Sequence, residues 1–210
     1  MKRLLSTIFL LVTLIATVSA QYFIIDTTKL SKAYNDLLQN PQSAHKQREF
    51  FNAFPSSWQE YYDTYKYCSK EGYDLSMYSA ANKHVKALGN CTEINDTLYC
   101  NRLIALSVGA SLDADAPNYL QKLLHYAMQQ RNNVFMYCLS QIEKGHQMQF
   151  WQFYWSRNAD GQSQKQEFEE LYNMNKDKYP FLMKTMSIAF EYFNNKMLFM
   201  EDFINMINSK

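Results

Sequence analysis

Turn-forming residues are scarce in this chain. Its 210 residues include five glycines and four prolines. A large sheet closed by tight hairpins needs more turn residues than that. No Cys-x-x-Cys, His-Glu-x-x-His, Gly-x-Ser-x-Gly, phosphate loop or dinucleotide fingerprint occurs, so no familiar catalytic, metal or nucleotide frame is present. No basic run occurs, which argues against nucleic acid as a partner. Beyond residue 20 no apolar run approaches the ~18 residues of a membrane span.

The first 20 residues differ from the rest. Lys2 and Arg3 precede an apolar stretch from Leu4 to Val18, and Val18-Ser19-Ala20 places small residues before Gln21. That order is expected of a secretory signal (residues 1–20) cleaved after Ala20, leaving residues 21–210 as one helical domain. The alternative is an uncleaved anchor. No cysteine follows the apolar stretch, so a lipid-anchored N-terminus is not expected. Cleavage leaves 19 basic against 20 acidic residues, a net charge of −1. The exported part is long enough for an ordinary hydrophobic core.

The four cysteines are Cys68, Cys91, Cys100 and Cys138. An even number in an exported chain favours two disulfides. Three pairings are open, of which Cys91–Cys100 and Cys68–Cys138 are favoured. In the chain-entropy account a loop of about ten residues contributes roughly 2.7 kcal/mol and one of about seventy roughly 4.4. A zinc site is the rival, but no histidine stands at ligand spacing from a cysteine.

What the chain does contain is helical periodicity. The spacing predicts helices from Thr27 or Thr28 to Asn40 and from Ser43 to Phe54. A third opens with Ser57 and Glu60 in capping-box spacing, and a fourth runs from Ser76 to Leu88 with Gly89 as its stop. Asp96 is the expected cap of a fifth, fading near Gly109. "DADAPNYLQKLLHYAMQQ" predicts a sixth, with Asp115 at its cap and Pro117 in its first turn. Asn133 is the expected cap of the next, with Gly145 after it. Residues 157–163 are the loop candidate, followed by a polar helix. Pro180 opens the last helix, whose apolar positions fall three and four apart from Met183 to Ile207. The fold class is therefore all-α: nine or ten antiparallel helices in a bundle or in stacked helical hairpins.

Several residues stand out as site candidates. "HQMQFWQFYWS" puts five aromatic rings among the six positions 150–155. Only a narrow arc of such a helix is polar, so it is expected in the core, with indole and phenol tips near the core edge. Trp151, Tyr154 and Trp155 would then line a binding groove. Along the last helix Met197, Met200, Ile204 and Ile207 form a seam that packs on its own domain or on a second copy. Methionine suits both roles because it is flexible and polarizable. Asp113 and Asp115 are expected to mark a helix start rather than a metal site. His45, His84, His125 and His146 are scattered and expected to be solvated, as are Glu167, Glu169 and Glu170.

The motifs "FFNAFPSSW", "YKY", "NDTLYC", "DADAPNYLQ" and "QFWQFYW" together resemble secreted helical proteins of unassigned function from gut Bacteroidetes. The likeness covers most of residues 45 to 156. It implies a periplasmic or extracellular home in a Gram-negative bacterium and brings no catalytic residue. In such organisms Asp-Thr followed by Thr or an apolar residue is an O-glycan acceptor, which Asp26-Thr27-Thr28 and Asp96-Thr97-Leu98 fit; Thr97 is the candidate.

The expected function is that of an exported, non-catalytic helical protein without cofactor or metal, acting by binding another protein, as inhibitors and immunity proteins do. Self-association is one form of this. Glycan or small-ligand binding is the alternative, since sixteen tyrosines supply flat faces for sugar rings. A hydrolase with an unfamiliar site is the third.

Overall fold

The computed structural model describes residues 25–69, 75–112, 115–156 and 161–208, with side chains for all of these except 161–162 and 195–208. The segment expected to be a secretory signal and Asp113 lie outside the described residues. Among the described residues there are ten helices and no strand. They are α1 (Thr27–Gln39), α2 (Ala44–Ala53), α3 (Trp58–Tyr65), α4 (Ser76–Gly89) and α5 (Asp96–Ser107), then α6 (Asp115–Gln130), α7 (Asn132–Ser140), α8 (Lys144–Trp155), α9 (Gly161–Asn175) and α10 (Pro180–Asn208). No described helix is long and apolar enough to cross a membrane.

Side-chain oxygens set four of the described helix starts. Asp26 accepts from the Lys29 N–H at 2.9 Å and Ser43 from the Lys46 N–H at 3.4 Å. Ser57 accepts from the Glu60 N–H at 3.3 Å, while the Glu60 carboxylate turns back to the Ser56 N–H at 2.6 Å. Such caps satisfy donors that a first turn leaves without partners. Three expectations need correction. Asn95 caps α5, not Asp96, its Oδ1 accepting from the N–H groups of Thr97 and Leu98 at 3.0 and 3.3 Å. Asn133 lies inside α7, because α6 and α7 are separated by Arg131 alone. Residues 161–163, expected in a loop, begin α9.

The apolar stripes of these helices meet in one cluster of buried residues running from Leu30 to Phe190. The most extensive interfaces join helices two apart in the chain, α4 with α6, α5 with α7 and α8 with α10, together with the sequential pair α1 and α2. Buried and part-buried polar side chains lock the joints. Gln47 donates to the Pro41 carbonyl and accepts from the Glu93 N–H, both at 2.8 Å. Arg102 covers the end of α2, donating to the carbonyls of Phe51, Phe54 and Pro55 at 3.0 to 3.1 Å, with its guanidinium 4.4 Å from the centre of the Phe51 ring. An arginine that binds three carbonyls is worth more as a brace than as a surface charge.

Candidate functional site

The aromatic helix α8 is buried, as its composition demands. Its tips are not at the core edge: Trp151, Tyr154 and Trp155 are each 0 % exposed. These three residues therefore line no open groove. Helices α5, α6 and α10 all pack against α8 and close over it. Neither indole Nε1 has a hydrogen-bond partner among the described residues, a cost of about 1–3 kcal/mol each that ring packing must offset. Trp155 packs edge-on against Phe190 at 5.0 Å and stacks with Trp151 at 6.2 Å.

The four cysteines are thiols in the structure, not the two cross-links expected. Cys91 donates to the Ala87 carbonyl at 3.3 Å, within its own helical surroundings, and the Cys138 sulfur faces the Thr97 carbonyl on α5 at 3.9 Å. Helix packing thus carries Cys138 to α5, the helix that holds Cys100. Burial pushes Cys91 and Cys100 up to about 12 and raises Cys138 as well. Thiols of that kind are poor nucleophiles at neutral pH. In α10 the first half of the apolar seam faces inward, with Met183, Met186 and Phe190 buried. Met197, Met200, Ile204 and Ile207 stand on its helical backbone beyond the described side chains. Thr97 is exposed in the first turn of α5.

An open concave surface lies elsewhere. A cleft of about 1040 Å³ is bounded by α1, α4 and α6. Helix α4 packs on both α1 and α6 and so forms its floor. It presents Asn82, Val85, Lys86 and Gly89, and α6 presents Tyr119, Lys122, Leu123 and Tyr126. Each set is spaced i, i+3, i+4, i+7, one face of a helix. The end of α1 and the turn after it add Leu37, Leu38, Pro41 and Gln42 as the third wall. Gly89 is the close approach: a methyl group there would stand 2.9 Å from Leu123 Cδ1. Leu37, Val85 and Leu123 make a buried apolar base, while Leu38 and Tyr126 are each 58 % exposed on its rim.

The cleft is electrostatically one-sided. Among the described residues no Asp, Glu, His or Cys lines it, and the charged ones are Lys86 and Lys122. Lys32, Lys46 and Lys66, by contrast, each pair with a carboxylate at 2.7 to 3.1 Å. The amides of Gln42, Asn82 and Asn90 and the tyrosine hydroxyls add further donors.

Two histidines expected in solvent are buried. His84, 2 % exposed, sits among Tyr34, Phe50 and Tyr65, with the Tyr34 ring 4.5 Å away and the Tyr65 hydroxyl 2.9 Å from its Nδ1. Burial depresses its proton affinity to a pKa of about 4. His125 joins three helices: its Nε2 donates to the Tyr154 carbonyl at 3.0 Å and its Nδ1 meets Glu167 Oε1 at 2.8 Å. The Tyr154 hydroxyl donates to that same oxygen at 2.6 Å. Glu167, expected on a solvated face, thereby fastens the polar helix α9 to α6 and α8. Both histidines carry structural contacts, and neither lines the cleft. His45 and His146 are exposed as expected. Among the described residues no group of three or more His, Cys, Asp or Glu could hold a metal ion.

No family model matches the chain, and neither a characterised protein nor a solved structure is significantly similar to it.

Proposed function

We propose that the chain is an exported, non-catalytic helical protein of the periplasm or the cell exterior that acts by gripping another protein in the cleft between α1, α4 and α6. The observation that carries this is the make-up of the cleft. An apolar base, a rim of exposed Leu38 and Tyr126, and hydrogen-bond donors from all three walls match the core-and-rim composition of protein interfaces. Tyrosine at the rim supplies rigid contact area at low entropy cost. Among the described residues the lining offers two ammonium groups and three hydroxyls, from Thr92, Tyr119 and Tyr126, but no carboxylate or imidazole. That inventory favours contact over acid–base chemistry.

A photo-crosslinking residue placed at Tyr126, and separately at Leu38, tests the proposal in cells that express the chain. Both positions are expected to trap the same protein, and a crosslinker at Tyr137, exposed on α7, is expected to trap none. Trapping from all three alike, or from none, refutes the proposal. The second reading is a glycan, favoured by the Tyr119 and Tyr126 rings beside the Asn82, Asn90 and Gln42 amides. Saturable oligosaccharide binding that Tyr126→Ala removes would establish it instead. Export is tested by the N-terminus of the secreted chain, expected at Gln21. In such a chain Thr97 is the proposed O-glycan acceptor, and an unshifted mass for the peptide that contains it removes that part.

A further inference from the structure

Resting on that protein-binding reading, the geometry points to the kind of segment the cleft holds: we infer that it takes an acidic amphipathic α-helix of the partner, two to three turns long. Charge comes first. Lys86 on the floor and Lys122 on the α6 wall have no hydrogen-bond or ion-pair partner among the described residues, and no carboxylate lines the cleft to neutralise them. A ligand carboxylate gains from both lysines, whereas a basic ligand meets two like charges. The amide and hydroxyl donors around them also suit carboxylates, which only accept.

Shape comes second. The walls are helices, whose backbone groups are already bonded internally, so no free strand edge is offered to an extended peptide. Recognition falls to side chains. An amphipathic helix laid in a groove reads as apolar anchors at i, i+3 or i+4 and i+7. Leu37, Val85 and Leu123 form the apolar base for such anchors, and the half-exposed Tyr119 and exposed Tyr126 flank it. From Asn82 to Asn90 the floor helix spans eight residue steps, about 12 Å or just over two turns at 1.5 Å per residue. That length sets the size of the occupant.

The test uses a display library of helical peptides of about eighteen residues in which the positions flanking a fixed apolar stripe are randomised over Glu, Gln and Lys. It is panned against the chain lacking residues 1–20. Binders are expected to be enriched in Glu. The strongest acidic binder, made as a synthetic peptide, is expected to lose at least tenfold in affinity for the doubly charge-reversed variant K86E/K122E and at least tenfold for Leu38→Arg. K86E/K122E should in turn prefer the peptide with Lys in place of Glu. An unchanged helical circular dichroism signal and urea midpoint confirm that the variants fold. Binders that Leu38→Arg weakens but that carry no excess of Glu overturn this inference and leave the protein-binding reading standing. Binders insensitive to all three substitutions, or no binders at all, overturn both.

Discussion

Acidification should destabilise the chain through one residue. His84 is 2 % exposed and ringed by Tyr34, Phe50 and Tyr65, so protonating it puts a charge where water cannot reach. Its pKa drops from 6.5 to about 4 on folding. The unfolded chain therefore binds more protons than the folded chain between those values, and stability rises with pH across that window. The contribution is fully present above about pH 6.5 and is lost as pH falls towards 4. Each tenfold change in proton affinity is worth about 1.4 kcal/mol, so the whole loss is about 3 kcal/mol, a large share of the 5–15 kcal/mol that holds a typical domain folded. The assay is urea unfolding followed by circular dichroism at steps from about pH 7.5 to about pH 4. The midpoint should fall while the slope of free energy with urea stays constant. His84→Gln keeps a polar partner for the Tyr65 hydroxyl but cannot titrate, so its pH curve should be flatter by that amount. The surface carboxylates of Asp36, Glu49 and Asp63 are held below their ordinary range by neighbouring lysines or hydrogen bonds. Their effects fall at the acid end of the window or below it and are common to both proteins. Parallel pH curves for the wild type and the variant would refute the reasoning.

Glu167→Leu removes the carboxylate that meets His125 Nδ1 and accepts from the Tyr154 hydroxyl. Leaving a buried polar group without its partner costs about 1–3 kcal/mol, so the urea midpoint should drop, and a change below about 1 kcal/mol would mean that α9 is held by other contacts. Thiol titration should find Cys68, the half-exposed cysteine, reactive in the folded chain and all four reactive after unfolding without reductant; fewer on unfolding would reveal cross-links. Gly109 turns the chain after α5 with φ of 78°, in the left-handed region, so Gly109→Ala should destabilise by about 1–2 kcal/mol in the same urea assay.

Most of the helical architecture is legible residue by residue. Asp26, Ser43 and Ser57 cap helices where a short polar side chain precedes an apolar period, because the cap bond is made within four residues of sequence. Asn95 and Asp96 stand side by side and both can cap, so only the backbone turn decides between them; it selects Asn95. The aromatic run of α8 is legible as core because no face of it is polar enough for water. The status of its indole tips is not, since that depends on helices distant in sequence. The histidines mislead for a related reason. His84 follows Lys83 and His125 stands between Leu124 and Tyr126; both lie on the inward side of α4 and α6, which polar character alone does not reveal.

Local spacing determined that this chain is helical, where most of its helices begin and end, and which stripe of each is apolar, because those properties rest on bonds and contacts a few residues apart. Only the tertiary structure decided what covers each stripe. It sealed Trp151 and Trp155 beneath α10, carried Glu167 to His125, and brought the end of α1 beside α4 and α6 to leave Lys86 and Lys122 facing open space. A lysine's sequence neighbours do not reveal whether a carboxylate from another helix will reach it, and that is settled only when the helices pack.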